Sequence, residues 1–155
     1  MLKYTYHKDG YKPDNEIFVF GSNLAGIHGA GAAKEAYRNY GAEWGAGVGL
    51  HGQSYAIPTK DDNIKTMSLS AIKPYIDYFL KVAAIRYSDK FYVSRVGCGL
   101  AGYKDSDIAP MFKGATNNVS FAEEWRPYLE EDTDIEYNNP LEALLSTSHE
   151  LGGYD

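Results

Sequence analysis

The stretch EIFVFGSNLAGIHGAGAAKEAYRNYG (Glu16–Gly41) decides the fold. Its first five residues, Glu16–Phe20, form a short apolar run rich in β-formers, read as a buried strand. GSN follows as a turn signal. Ala30–Tyr40 is alanine-rich and reads as a helix, with Gly41 placed to end it. A strand that feeds a helix through a glycine-rich loop is a building unit of an α/β sheet.

Reading outward, the same alternation continues. Ser54–Pro58 is a second strand, stopped by Pro58. Ser68 or Ser70 caps a helix running to about Ile85. Leu69, Ile72, Ile76, Phe79, Leu80 and Ala83 lie at helical spacing along it. Pro74 falls in its first turn or two, where proline does least harm. Lys90–Val96 is a third buried strand, ending at GCGLAG. Asp105 or Ser106 caps a short helix through Phe112, and Asn117–Phe121 is a fourth strand. Tyr4, Tyr6 and Tyr11 suggest an edge strand before the KPDN turn. Alternating strands and helices imply an α/β sheet, in which ligands sit beyond the C-terminal ends of the strands.

Composition sets the outer bounds. The 155 residues suit one domain. No apolar run is long enough for a transmembrane helix, and the N-terminus lacks a signal peptide's apolar core. The single cysteine, Cys98, excludes an internal disulfide and fits a reducing, cytoplasmic setting. One cysteine and four scattered histidines give no metal-ligand spacing, so neither a metal nor a cofactor is expected.

Net charge is -6, unevenly distributed. Glu123–Asp155 holds ten acids and one base, a balance of -9, which leaves +3 on the first 122 residues. A mildly basic body can hold a phosphate-bearing ligand; overall acidity alone would argue against one. In the acidic segment, Leu141, Leu144, Leu145 and Ser148 stand at helical spacing. That pattern fits either a solubilising tail or a peripheral helix for a partner protein.

Glycine marks the loops. Nine of the 16 glycines lie between Gly21 and Gly52, and Gly97, Gly99 and Gly102 follow the third strand. The first loop lacks the GKS or GKT of a Walker A motif and the spacing of a dinucleotide fingerprint. It does lead into a helix whose first N–H groups can bind phosphate. Asn23 either bonds a base or ribose hydroxyl or caps a turn. The third loop can form an anion nest. Its Cys98 is either a packing residue or a nucleophile that needs a base from His28 or His51. Lys60 ends the second strand beside Asp61 and Asp62. It is either a solvated turn residue or an amine that binds phosphate or attacks an aldehydic sugar, with the acids moving protons. Trp44 either packs or stacks on a base.

In this order, FVFGSN (Phe18–Asn23), GAGAAKEAYRNYGA (Gly29–Ala42) and RVGCGLAGYKDSDIAPMF (Arg95–Phe112) resemble the macro domains, which bind ADP-ribose. The resemblance spans about Glu16–Ser120. GAG and GCGL are closest to the subclass of the terminal ADP-ribose protein glycohydrolase. SYAIPTKD (Ser54–Asp61) and FAEEWRPYL (Phe121–Leu129) are also similar to small macro-like proteins of bacteria and phages. The charge pattern makes 130–155 an acidic tail or peripheral helix. The resemblance implies a three-layer α/β/α fold with a mixed central sheet over residues 1–129. It implies recognition, with hydrolysis, of ADP-ribose or an ADP-ribosyl conjugate; nucleic acid would enter only as an ADP-ribosylated substrate, and no membrane is involved. The alternatives are a binding module without catalysis and an interaction protein acting through the acidic tail.

Residue by residue, the resemblance places Asn23 near the distal ribose, with Gly29 and Gly31 close to that ribose and the diphosphate. Gly97, Gly99, Leu100, Ala101 and Gly102 wrap the diphosphate, and Tyr103 closes over the ligand. Gly21, His28, Ala30 and Cys98 complete the candidate binding set. Lys60 matches the lysine that attacks the sugar's C1, with Asp61 as proton carrier. Two departures stand out: Ala101 occupies the position of the subclass aspartate after GCGL, and no aspartate follows Gly29–Gly31. Asp61 or Asp105 would have to substitute.

Overall fold

The computed structural model describes residues 3–10 and 12–130. Tyr11 and the acidic segment from 131 onward, including the proposed Leu141–Leu145 stripe, lie outside the described residues.

Six strands form one mixed sheet. In chain order they are β1 (Thr5–His7), β2 (Ile17–Asn23), β3 (Gly49–His51), β4 (Ser54–Lys60), β5 (Phe91–Val93) and β6 (Val119–Ala122). Their order across the sheet is β1-β6-β5-β2-β4-β3. Every neighbouring pair is parallel except β3 with β4. β1 is the expected edge strand, lying beside β6 with Thr5 opposite Ser120. β3 went unseen in the sequence: Gly49–His51 is short and carries no run of β-formers.

The period of two along each strand sends side chains into two layers. Ile17, Val19, Tyr55, Ile57, Phe91, Val93, Val119 and Phe121 point to one face. There they meet α2 (Leu69–Ile85), α3 (Asp105–Ile108) and α4 (Arg126–Leu129). Phe18, Phe20, Ala56 and Tyr92 point to the other face, where α1 (Gly31–Asn39) buries Ala33 and Ala36. The protein is therefore a three-layer α/β/α fold.

α2 shows why its sequence is helical. Ser68 Oγ accepts the Ala71 N–H at 3.2 Å, capping the first turn. Ile72, Ile76, Phe79 and Ala83 form the buried stripe, and Pro74 sits exposed in the second turn. α1 ends as expected, with Gly41 at φ +80 just beyond it.

Four boundaries differ from the sequence expectation. β2 and β4 run on to Asn23 and Lys60, because parallel pairing of the two strands continues past the glycine and proline. β5 stops at Val93, where Ser94 turns its N–H and hydroxyl onto the Val19 carbonyl. The short helix is capped at Lys104, whose N–H donates to Asp107, and not at Asp105 or Ser106. At the other end the folded body includes Glu130, only 5% exposed. Its carboxylate accepts the backbone N–H groups of Lys3 and Tyr4 and the Tyr6 hydroxyl.

Candidate functional site

The C-terminal ends of β2, β4 and β5 open into a cleft of about 660 Å³. That volume is typical of a small-molecule site. Most of the expected residues line it: Gly21 and Asn23 from β2, Gly29–Gly31 from the first loop, Lys60 from β4, and Gly97–Ala101 from the third loop.

Glycine eases the approach where backbones meet. A Cβ on Gly21 would lie 3.3 Å from the Gly97 nitrogen, so β2 and the third loop touch through two glycines. Gly97 has φ +77, and a Cβ there would lie 3.0 Å from Ile108. The loop leaves donors free. Cys98, Gly102 and Tyr103 use their N–H groups on Arg95, Gly99 and Gly97. Those of Gly97, Gly99, Leu100 and Ala101 have no acceptor among the described residues. Across the cleft, α1 begins at Ala30 and Gly31 with no side-chain cap and no acid in its first turn. Its first N–H groups are thus available to an anion. A Cβ on Gly31 would stand 3.4 Å from Leu100 Cδ1, so the two sets of donors face each other across one side chain.

The base of the third loop is fixed by a carboxylate. Asp105 takes two hydrogen bonds from Arg95, at 2.9 and 2.6 Å, and one from the Trp125 indole at 2.7 Å. Burial opposes ionisation of Asp105, but hydrogen bonds from Arg95, Trp125 and Cys98 outweigh it and hold the carboxyl below its usual range. An acid so engaged is not a free proton carrier, which removes Asp105 as the substitute for the missing aspartate.

Four expected residues are placed outside the lining. His28 is 1% exposed. Its Nε2 lies 2.8 Å from the Glu43 carbonyl and 3.2 Å from that of Ala46, so the ring braces the 43–46 turn. Asp61 turns its carboxylate into its own turn, where Oδ1 accepts the N–H groups of Asn63 and Lys65 at 2.8 and 3.0 Å. Gly102 does not line the cleft either. Tyr103 does not line it, and its hydroxyl donates to the Met67 carbonyl.

Asn23 lines the cleft and also caps a turn. Its Nδ2 donates to the Ile27 carbonyl at 2.8 Å, and its Oδ1 accepts the Ile27 N–H at 2.9 Å. The Lys60 ammonium has no hydrogen-bond or ion-pair partner among the described residues. Cys98 is held as a thiol: burial, then the neighbouring Asp105, pushes it up to about 12. His51 lies on β3 and lines no part of the cleft, so the pair needed for a cysteine nucleophile does not form. Trp44 packs edge-on against Tyr37, outside the cleft.

The far end of the cleft was not anticipated. Phe18 and Tyr92 contribute its aromatic floor, and Asp9, Gly10 and Lys12 enter from the β1–β2 connection. Asp9 is pushed up, by burial first and then by Glu124, against the pull of Arg95. Lys12 is committed elsewhere, donating to the carbonyls of Pro13 and Glu16 at 2.6 Å each over the Tyr40 ring. KDGYKPDN reads locally as a turn; only strand alternation, which turns Phe18 and Tyr92 to one face, could have pointed here.

No helix among the described residues is long and apolar enough to cross a membrane. No protein-family model matches the chain, and no curated protein shows significant similarity to it.

Proposed function

We propose that the protein recognises ADP-ribose or a closely related nucleoside-diphosphate sugar, free or as a conjugate, in a cytoplasmic setting. The observation that carries this reading is the double set of uncommitted N–H donors, one at the α1 N-terminus and one in Gly97–Ala101, on a single cleft. A diphosphate offers several acceptor oxygens and negative charge, which such donors and a helix N-terminus favour. The macro-domain resemblance of these loops supplies the sugar and the base. Calorimetric titration is the test: ADP-ribose should release heat and raise the melting temperature, while adenosine should bind far more weakly. No heat with any diphosphate ligand would end the proposal.

A second reading, hydrolysis, is favoured by one observation. Lys60 lines the same cleft with its ammonium uncommitted. Its amine, once deprotonated, would add to the sugar's anomeric carbon as the bond to the conjugated group breaks. Water would then release the sugar. The leaving group needs a proton; Asp61 is engaged in its own turn and Asp9 lies at the far end, which leaves Glu35 as the lining carboxyl for that step. Lys60→Ala should abolish turnover of an ADP-ribosylated substrate while leaving ADP-ribose bound; unchanged turnover would leave recognition alone.

A further inference from the structure

Ile64 is the one non-glycine residue with positive φ among the described residues, at +61. The left-handed region is unfavourable for side chains branched at Cβ, whereas glycine and asparagine enter it readily. The conformation is imposed from several sides. Asp61 N–H donates to the Lys65 carbonyl at 2.8 Å, and Ile64 N–H donates to the Asp61 carbonyl at 3.1 Å. Asp61 Oδ1 accepts from Asn63 and Lys65. Lys60 pairs with Thr66 across the neck of the turn, and Met67 N–H reaches the Thr59 carbonyl at 2.8 Å. Such over-determination is what lets backbone strain persist, and strain of this kind clusters where a ligand is clamped.

Packing does not account for isoleucine here, since Ile64 is 40% exposed. Its setting is the cleft, which it lines together with Lys60. Lys60 stands opposite Asn23 in the β2–β4 register, and Thr66 donates to the Ala101 carbonyl at 3.0 Å, so the turn is tied to both neighbouring loops. We propose that Ile64 is a specificity-determining residue that packs on the distal sugar of the ligand, and that Asp61 is the positioning residue that holds it there. This rests on the reading of the cleft as a nucleoside-diphosphate-sugar site, whose sugar end is marked by Asn23 and Lys60. The carbon-bound hydrogens of a sugar ring pack on an aliphatic side chain, whereas a diphosphate gains nothing from one.

The test compares ADP-ribose with ADP, which lacks the distal sugar. Ile64→Gly and Ile64→Asn should both raise the unfolding temperature by roughly 2 °C or more, because both residues accept this backbone. Both should weaken ADP-ribose binding about three- to tenfold and leave ADP binding unchanged. Asp61→Ala should lose the same preference without the gain in stability, and Asp61→Asn, which keeps an acceptor oxygen, should restore it. An unchanged ADP-ribose to ADP ratio in the Ile64 variants would overturn the proposal and leave the reading of the cleft intact. A fall in stability in both variants would remove its physical basis. A native chain that binds neither ligand would overturn both.

Discussion

Arg95 and Asp105 stand at opposite ends of the third loop and grip each other through two hydrogen bonds, Nε to Oδ1 at 2.9 Å and Nη2 to Oδ2 at 2.6 Å. The pair staples the loop at its base, so the free N–H groups between the two residues keep one arrangement. The Trp125 indole adds a third donor to the same carboxylate.

Asp105→Ala should therefore cost about 1–3 kcal/mol of stability, since it removes both hydrogen bonds that hold Arg95 at the loop and leaves the Trp125 indole N–H without its acceptor. Urea denaturation measures the loss. The direction of the carboxyl shift also fixes a pH dependence. A group held below its unfolded value lends stability above that value and loses it as pH falls through the lower, folded one. The acid limb of stability should flatten in Asp105→Asn; a limb identical to the native one would show that the staple is not felt.

Gly97→Ala should harm both fold and site. The positive φ and the Ile108 side chain 3.0 Å away together cost about 1–3 kcal/mol. ADP-ribose affinity should fall about tenfold or more, because the strand-end contact with Gly21 sets the loop. Chemical denaturation and calorimetry read the two effects separately. Gly99→Ala, with open space around it and no positive φ, is the control that should keep stability near native.

His7 should make the protein acid-sensitive above the carboxylate range. Its ring stacks on Tyr92 at 3.6 Å, Nδ1 meets Ser120 Oγ at 2.7 Å, and Nε2 has no partner among the described residues. Burial lowers its pKa from 6.5 to about 4. Between those values the unfolded chain binds a proton that the fold does not, so stability falls as pH drops from about 6.5 to 4. After a discount for partial solvent access the loss is on the order of 1–2 kcal/mol. Thermal melts across that range should show the slope, and His7→Phe should remove it.

Cys98 should react slowly with thiol reagents at neutral pH. A thiol that burial pushes up to about 12 holds far less thiolate at neutral pH than a free cysteine, roughly a thousandfold less. Labelling with a chromogenic disulfide should be slow in the folded protein and fast in urea. Rapid labelling of the folded chain would revive Cys98 as a nucleophile.

Much of the fold was legible because its signals are local. EIFVF, SYAIP and KFYVS are apolar runs too short for helices, and Leu69–Ile85 repeats its apolar residues at helical spacing. Glycine clusters after two strands marked the loops, since glycine enters φ near +77 most readily and leaves room where another backbone would stand 3.3 Å from a Cβ. Individual side-chain roles were less legible. Asp61 stands beside Lys60 in the chain, yet successive residues need not face the same way, and its carboxylate caps a turn. His28 and Tyr103 belong to the right loops but spend their polar atoms on carbonyls outside the cleft.

The sequence by itself determined the alternation of strands and helices, the two glycine loops and the lysine at a strand end, because propensity and periodicity act over a few residues. Only the tertiary structure decided which of these share a cleft. Parallel pairing of β2 with β4 and β5 brings three distant strand ends together. The same pairing turns Phe18 and Tyr92 onto one floor, with Asp9 at its far end, and brings the turn that carries Ile64, beside Lys60, to the same cleft. Contacts between segments far apart in the chain bring these residues to one cleft, and no window of neighbouring residues contains them.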